Sequence, residues 1–269
     1  MAKLSRNHGS LGIKEPFFLN ERCLCPPAAI SGLRPHLASV SRPRLCGTLI
    51  VMSMTAWPLF DLRIRCRDVE LRAIRESDLP KLATIQPDDY EHNPRAELFS
   101  GLDLHQNRGR LVYQEFWRSL GTWSPSSWCL DLAVEHEGTV IGVQSLEAAD
   151  FPVLRTVDSG SWLIHSARGR GLGVAMRLAV LGLAFDHLGA RAAVTSARSD
   201  NAASLGVSRR IGYVFNGVSL NDSGRGVVEL SHMRLTEKDW RASGHSRDVT
   251  VYGYEACRPW FGQPGLADS

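Results

Sequence analysis

The segment Arg168-Gly169-Arg170-Gly171-Leu172-Gly173 most constrains what this chain can fold into. It fits R/Q-x-x-G-x-G/A and lies between a strand-like run and a long amphipathic helix. Closely spaced glycines let the backbone take positive φ, so that successive N–H groups converge on an anion, and the following helix adds the partial positive charge of its N-terminus. Two other phosphate motifs do not fit. No Gly-Lys-Ser/Thr closes the loop, and Gly171-x-Gly173 leads to Met176 where a dinucleotide fingerprint needs a third glycine. Six residues alone recur easily by chance, so the flanks must decide.

Those flanks predict a β-α-β unit. Val157 to His165 reads as a strand; Val174, Leu178, Leu181, Phe185 and Leu188 recur at helical spacing until Gly189; and Arg191 to Ala197 reads as a second strand. Two strands joined by a helix of this length are expected to be parallel, with a right-handed crossover. A further helix follows Asn201 and runs to Arg210, with Asn201, Ser204 and Ser208 in one narrow arc, a face suited to a polar ligand. Upstream, Trp128 to Glu135 alternates and Gly138 turns the chain into Val140 to Leu146, which predicts an antiparallel hairpin. A short helix is expected around Tyr113 to Leu120. The stretch from Gln86 to Pro125 carries Asp88, Asp89, Glu91, Glu97 and Asp103, either a lining for an amine substrate or a solvated loop.

Taken in order, the segments from Val69 to Leu79, Gly138 to Gly142, Asp158 to Leu163, the glycine loop, Asn201-x-x-Ser204, Ile211-Gly-Tyr213 and Val227 to Thr236 resemble the GNAT superfamily of acyl-CoA N-acyltransferases, and within it the RimJ/RimL-type branch. The resemblance runs from about Val69 to Trp240. It implies an α/β fold with a mixed central sheet, flanked by helices, whose two parallel strands splay at the CoA site. It implies acyl-CoA as cosubstrate, acetyl-CoA or succinyl-CoA, with the pyrophosphate on backbone N–H groups of Arg168, Gly169, Arg170, Gly171, Leu172, Gly173 and Val174. Trp162, Leu163 and Ile164 would meet the pantetheine arm, and Asn201 would orient CoA. Arg170, Arg209 and Arg210 are candidates for the CoA phosphates or for the solvated surface.

The chemistry so implied is attack of a neutral amine on a thioester, with no covalent enzyme intermediate. Asp158 stands where this branch often carries a carboxylate base; substrate orientation or a strand-end ion pair is the alternative. Ser204 is the candidate donor near the departing sulfur. Where many GNAT enzymes have a tyrosine acid seven residues past the motif asparagine, this chain has Ser208, and Tyr213 is expected to pack after Gly212. His165 is read as shaping the loop or facing solvent.

Composition limits the other readings. The 269 residues are 43% hydrophobic, enough for a sizeable core, with no run near the ~20 apolar residues of a membrane span. A soluble, cytoplasmic protein is expected. Seven of 31 Lys/Arg and two of 28 Asp/Glu fall in residues 1–51, so that segment carries +5 and the rest −2. A basic field is therefore no property of the remaining chain, and nucleic acid is not an expected partner. The expected partner is an amine acceptor, a protein or a small molecule; homo-oligomerisation is left open. Residues 1–51 are read as a basic low-complexity arm, with Met52 as an alternative start, 52–243 as the acyltransferase domain and 244–269 as a C-terminal extension. The six cysteines lack a paired His/Cys ligand pattern, so reduced thiols and no metal are expected. A noncatalytic CoA-binding regulator is the alternative function.

Overall fold

The computed structural model describes residues 56–90, 96–223 and 226–263. Residues 1–51, Met52 and Glu91 lie outside that range. A short turn leads into β1 (Arg63–Cys66) and β2 (Val69–Ala73), then α1 (Leu79–Ile85), α2 (Leu104–Gly121), β3 (Trp128–His136) and β4 (Thr139–Ala148). One turn of helix, α3 (Phe151–Leu154), precedes β5 (Thr156–Leu163) and α4 (Leu172–Gly182), which continues as a π-turn over Leu183–His187. Next come β6 (Ala192–Arg198), α5 (Ala202–Ile211), β7 (Val214–Asp222), β8 (Val227–Thr236), α6 (Glu237–Ser243), β9 (Val249–Tyr252) and α7 (Tyr254–Cys257). The strands form one sheet in the order β7-β8-β6-β5-β4-β3-β2-β1-β9. Among the described strands only the β5–β6 neighbours are parallel. This is the expected mixed α/β architecture.

Local chemistry explains the main elements. Alternation in β3 turns Trp128, Leu130, Leu132 and Val134 to one core, with Ala133 packed on the other face. Glu137 and Gly138, at φ +51° and +72°, make the two-residue turn between paired His136 and Thr139. Helix α2 starts earlier than its hydrophobic spacing suggests because Asp103 caps it: Gln106 N–H donates to Asp103 Oδ1 at 2.7 Å, and the Asp103 N–H donates to Gln106 Oε1 at 3.0 Å. Helix α4 is buried nearly all round, packed across β1, β2, β4 and β9 and against α5. Helices α1 and α2 cover the opposite face, with Leu79, Leu82 and Phe116 against Trp162 and Ala133.

The described residues after 243 carry a further strand of the same sheet. β9 pairs antiparallel with β1, and Val249 lies so close to α4 that a Cβ at Gly182 would sit 2.6 Å from its Cγ1. Tyr254, Cys257 and Phe261 are buried, Phe261 meeting Trp128 at 5.0 Å between ring centroids, and the Trp123 Nε1–H donates to Trp260 O at 2.9 Å.

Candidate active site

Strand β5 ends at Leu163, and the turn His165–Ala167 brings the chain to the glycine loop. Gly169 and Gly171 are left-handed, at φ +75° and +83°, and Gly171 is the N-cap of α4. A Cβ at Gly171 would meet nothing within 4 Å, so the backbone angle and not space requires glycine there. At Gly173 the reason differs: a Cβ would stand 3.4 Å from Val207 Cγ2 of α5, so a small residue lets the helices approach. Arg168 N–H donates to His165 O at 3.1 Å and Val174 N–H to Gly171 O at 3.0 Å, so the amides between them, Gly169 to Gly173, are the ones the loop can turn to an anion.

The two loop arginines point elsewhere. Arg168 donates through Nε to Leu163 O at 3.0 Å and grips Asp89 with both terminal nitrogens, at 2.5 and 2.8 Å. That pairing holds the Asp89 carboxyl below the usual carboxylate range. Arg170 Nη2 lies 3.2 Å from His136 Nε2 at the β3–β4 turn, and Arg209 and Arg210 are exposed on the last turn of α5. His165 is exposed, its Nε2 3.9 Å from Asp89.

Beyond the loop the sheet opens. β5 and β6 pair only at Thr156–Ala192, Val157–Ala193 and Asp158–Val194. Past those residues β5 stays with β4 and β6 stays with β8, so a V opens between them. Trp162, Leu163 and Ile164 lie along the β5 arm and beyond its end, Trp162 and Leu163 buried against the opposite faces of the sheet. On the α4 side, Thr195 Oγ1 donates to Ser159 O at 3.1 Å, and Arg177, 4% exposed, lies across the gap with Nη1 3.3 Å from Thr195 Oγ1 and Nη2 3.4 Å from Ser161 Oγ. Arg177 Nε, Ser159 Oγ and the Tyr213 hydroxyl are buried there without a hydrogen-bond partner among the described residues.

The other face carries carboxyl groups. Asp158 shares the Trp162 side of β5 and stands directly opposite Glu147 of β4, which in turn stands opposite Cys129 of β3. Burial pushes Asp158 up to about 6, restrained by the Ser159 N–H, which donates to it at 2.6 Å, and by the Arg177 charge. Burial and the neighbouring Asp158 and Asp131 charges push Glu147 up to about 8. Both carboxyl groups of the pair are thus displaced upward, Glu147 by burial and by the charge of the neighbouring Asp158, which favours one proton held between them. Asp131 accepts from Ser119 Oγ at 2.8 Å and Ser145 Oγ at 2.5 Å, and Glu115 of α2 lies 3.5 Å from Arg118. Among the described residues no group of His, Cys, Asp and Glu is arranged to hold a metal ion.

A family model described as an acetyltransferase (GNAT) domain matches residues 68–214. The chain belongs to the GNAT acetyltransferase family. Similar solved structures include Mycobacterium smegmatis RimJ in complex with CoA-disulfide, 19% identical at a TM-score of 0.55, over 70% of this chain and 97% of that one. They also include the RimL ribosomal L7/L12 alpha-N-protein acetyltransferase in complex with coenzyme A, 19% identical at 0.50 over 64% and 96%, and a GNAT-family acetyltransferase from Bacillus anthracis, 14% identical at 0.52 over 65% and 99%. At these identities the likeness is one of fold.

Within the GNAT frame, Asn201 and Ser204 sit at the start of α5, next to α4. Asn201 is the helix cap, its Oδ1 accepting from Ser204 N–H at 3.0 Å, so half of its side-chain amide serves the fold. Ser204 is half-buried. Ser208 does not share a ligand-facing surface with them: it is 1% exposed and donates back to Ser204 O at 3.3 Å. The arc was right in angle, but α5 turns its Ser208 edge into the core. Tyr213 is buried as expected, yet its hydroxyl faces Ser159 and Arg177 and not an apolar wall. Arg177 and Glu147 are the residues sequence reasoning missed. Arg177 had a readable signal, as the single charge between Leu172 and Phe185. Glu147 had none, because its pairing with Asp158 depends on the β4–β5 register.

Proposed function

We propose that this protein is an acyl-CoA-dependent N-acyltransferase that moves acetyl or another short acyl group, such as succinyl, to a primary amine of a protein or small molecule by direct attack. The observation that carries the reading is the V between β5 and β6 with the left-handed glycine loop at its arm: an anion cradle and an unpaired backbone edge in one continuous groove. Coenzyme phosphates suit the N–H groups of Gly169 to Gly173, since those of Arg168 and Val174 already donate to His165 O and Gly171 O, and the arm's amides suit the β5 edge around Trp162 to Ile164. Asp158 takes one proton from the ammonium; the free amine adds to the thioester carbon; the C–S bond breaks as a second proton leaves nitrogen and the thiolate gains one, with Ser204 as a hydrogen-bond donor near the sulfur. Arg170 contributes its backbone and not its charge, and the Arg168 guanidinium is committed to Asp89.

Arg177 favours a carboxylate-bearing acyl chain among the short donors. Its guanidinium is deeply buried with no ion pair within 4.0 Å among the described residues and feels only the more distant charge of Asp158, so a terminal carboxylate reaching the apex of the V supplies a direct partner, which an acetyl group does not. The RimL likeness adds protein α-amino groups to the acceptors worth testing. The location remains read as cytoplasmic, and no described helix is long and apolar enough to cross a membrane.

The test is a matrix of acetyl-, butyryl- and succinyl-CoA against protein N-terminal peptides, lysine peptides and small amines, read as free CoA released and N-acyl product formed. Turnover with any pair supports the enzyme. Tight CoA binding with no product across the matrix leaves the noncatalytic CoA-binding regulator as the better account.

A further inference from the structure

Between the glycine loop and the carboxyl-lined face lies the turn Pro87 to Tyr90, and it touches both. On one side Asp89 holds Arg168 through two hydrogen bonds, while Arg168 also donates to Leu163 O, so three contacts fix one guanidinium. A paired fork of this kind sets direction as well as distance. On the other side the Tyr90 ring packs 6.2 Å from the Trp162 ring, and the carboxyl groups of Glu115, Asp131 and Glu147 lie around its phenol. The turn is closed by Tyr90 N–H donating to Pro87 O at 3.1 Å and is tied to α2 by Arg108, which donates to Asp88 O at 3.1 Å and to Pro87 O.

We propose that Asp89 is a positioning residue through which bound coenzyme shapes the acceptor side of the site. The inference rests on the acyl-CoA reading of the loop. Coenzyme phosphates on the amides of Gly169 to Gly173 select the loop conformation in which Arg168 reaches Asp89. The ion pair then holds the 87–90 turn and keeps Tyr90 over Trp162, beside Glu115, Asp131 and Glu147. A ligand shifts a distant element only through such a differential contact, and this pair is the contact. The same link makes amine binding depend on prior coenzyme binding.

Hydrogen exchange of the full chain, with and without free CoA, reads the link directly. In the parent, CoA slows exchange at amides 168–174 and, by about fivefold or more, at amides 86–90. In Asp89→Asn the first effect stays and the second disappears, and Asp89→Glu retains part of it. Thermal unfolding of each variant separates this pattern from general loosening, which raises exchange with and without CoA alike. Equal CoA-dependent slowing at 86–90 in the parent and Asp89→Asn, or none there in a parent protected at 168–174, overturns the inference. Absence of protection at 168–174 in the parent overturns the coenzyme reading itself, and this inference with it.

Discussion

Asp158 and Glu147 face each other across neighbouring strands with displaced and separated proton affinities, and each displacement has its own consequence. If Asp158 is the base, kcat/KM falls as pH drops below about 6, where its carboxylate is lost. Asp158→Asn is expected to lower kcat/KM by about a hundredfold near neutral pH, with CoA affinity unchanged. The deficit should shrink at higher pH as free amine becomes abundant. A pH–rate series with one active pair from the matrix decides: normal turnover at low pH removes Asp158 as base, and an equal loss at every pH makes it an orienting residue. Glu147 is read out in stability. Its raised affinity favours the neutral form in the fold, so its contribution is complete below its ordinary value of 4.5 and is lost as pH rises through about 8. Glu147→Gln fixes the neutral form, and should match the parent near pH 4 and exceed it at pH 9 by on the order of 2 kcal/mol, or about 4–8 °C. Thermal melts at the two pH values check it; a Gln variant no more stable at pH 9 would falsify the burial of this carboxyl.

The glycine loop is an element whose shape depends on two left-handed residues. Gly171→Val meets no clash, but a β-branched residue at φ +83° strains the N-cap by about 1–2 kcal/mol. CoA titration of folded protein at fixed ionic strength should show affinity reduced about tenfold or more, against little change for Ser204→Ala, whose backbone N–H stays capped by Asn201. Similar affinity for Gly171→Val and the parent would remove the pyrophosphate from this loop. The β5-α4-β6 unit and the β3–β4 hairpin were legible from local periods and the glycines that bound them, and the closing strand from its place in the family resemblance. β1 and β9 were not: four residues each, with arginines alternating in Arg63–Cys66 and aromatics crowding the stretch after Val249–Tyr252, they become strands through tertiary pairing, β1 between β2 and β9, and β9 on β1. The site divided in the same way. Asp158, the glycine loop and Asn201 stand in local motifs, whereas the Glu147 register, the Arg168–Asp89 fork and the inward turn of Ser208 are products of tertiary packing. Ending the chain at Gly244 tests the late strand. It removes β9 and the buried Tyr254, Cys257 and Phe261, and large side chains are each worth about 1.5–3 kcal/mol, a sum near the whole stability of a domain. Calorimetry should show the cooperative transition lost or lowered by about 10 °C or more.

At the scale of the whole molecule, the folded unit and the basic arm are proposed to be separable. The family match starts at residue 68, and residues after 51 carry a net charge of −2 without the arm. A chain begun at Met52 should keep its thermal transition and bind CoA within about twofold of the full chain. Loss of either means that the first segment belongs to the fold. Within the unit, the pairing of Arg63 with Tyr252 has a consequence for how the protein is made. At about 5–20 residues per second, the outer edge of the first strand waits roughly ten to forty seconds on the ribosome for its partner to be synthesised. During that interval α4 has part of its apolar surface uncovered, so newly made chains present a sticky edge that a chaperone can hold and a neighbouring nascent chain can capture, and closure waits until β9 has been made.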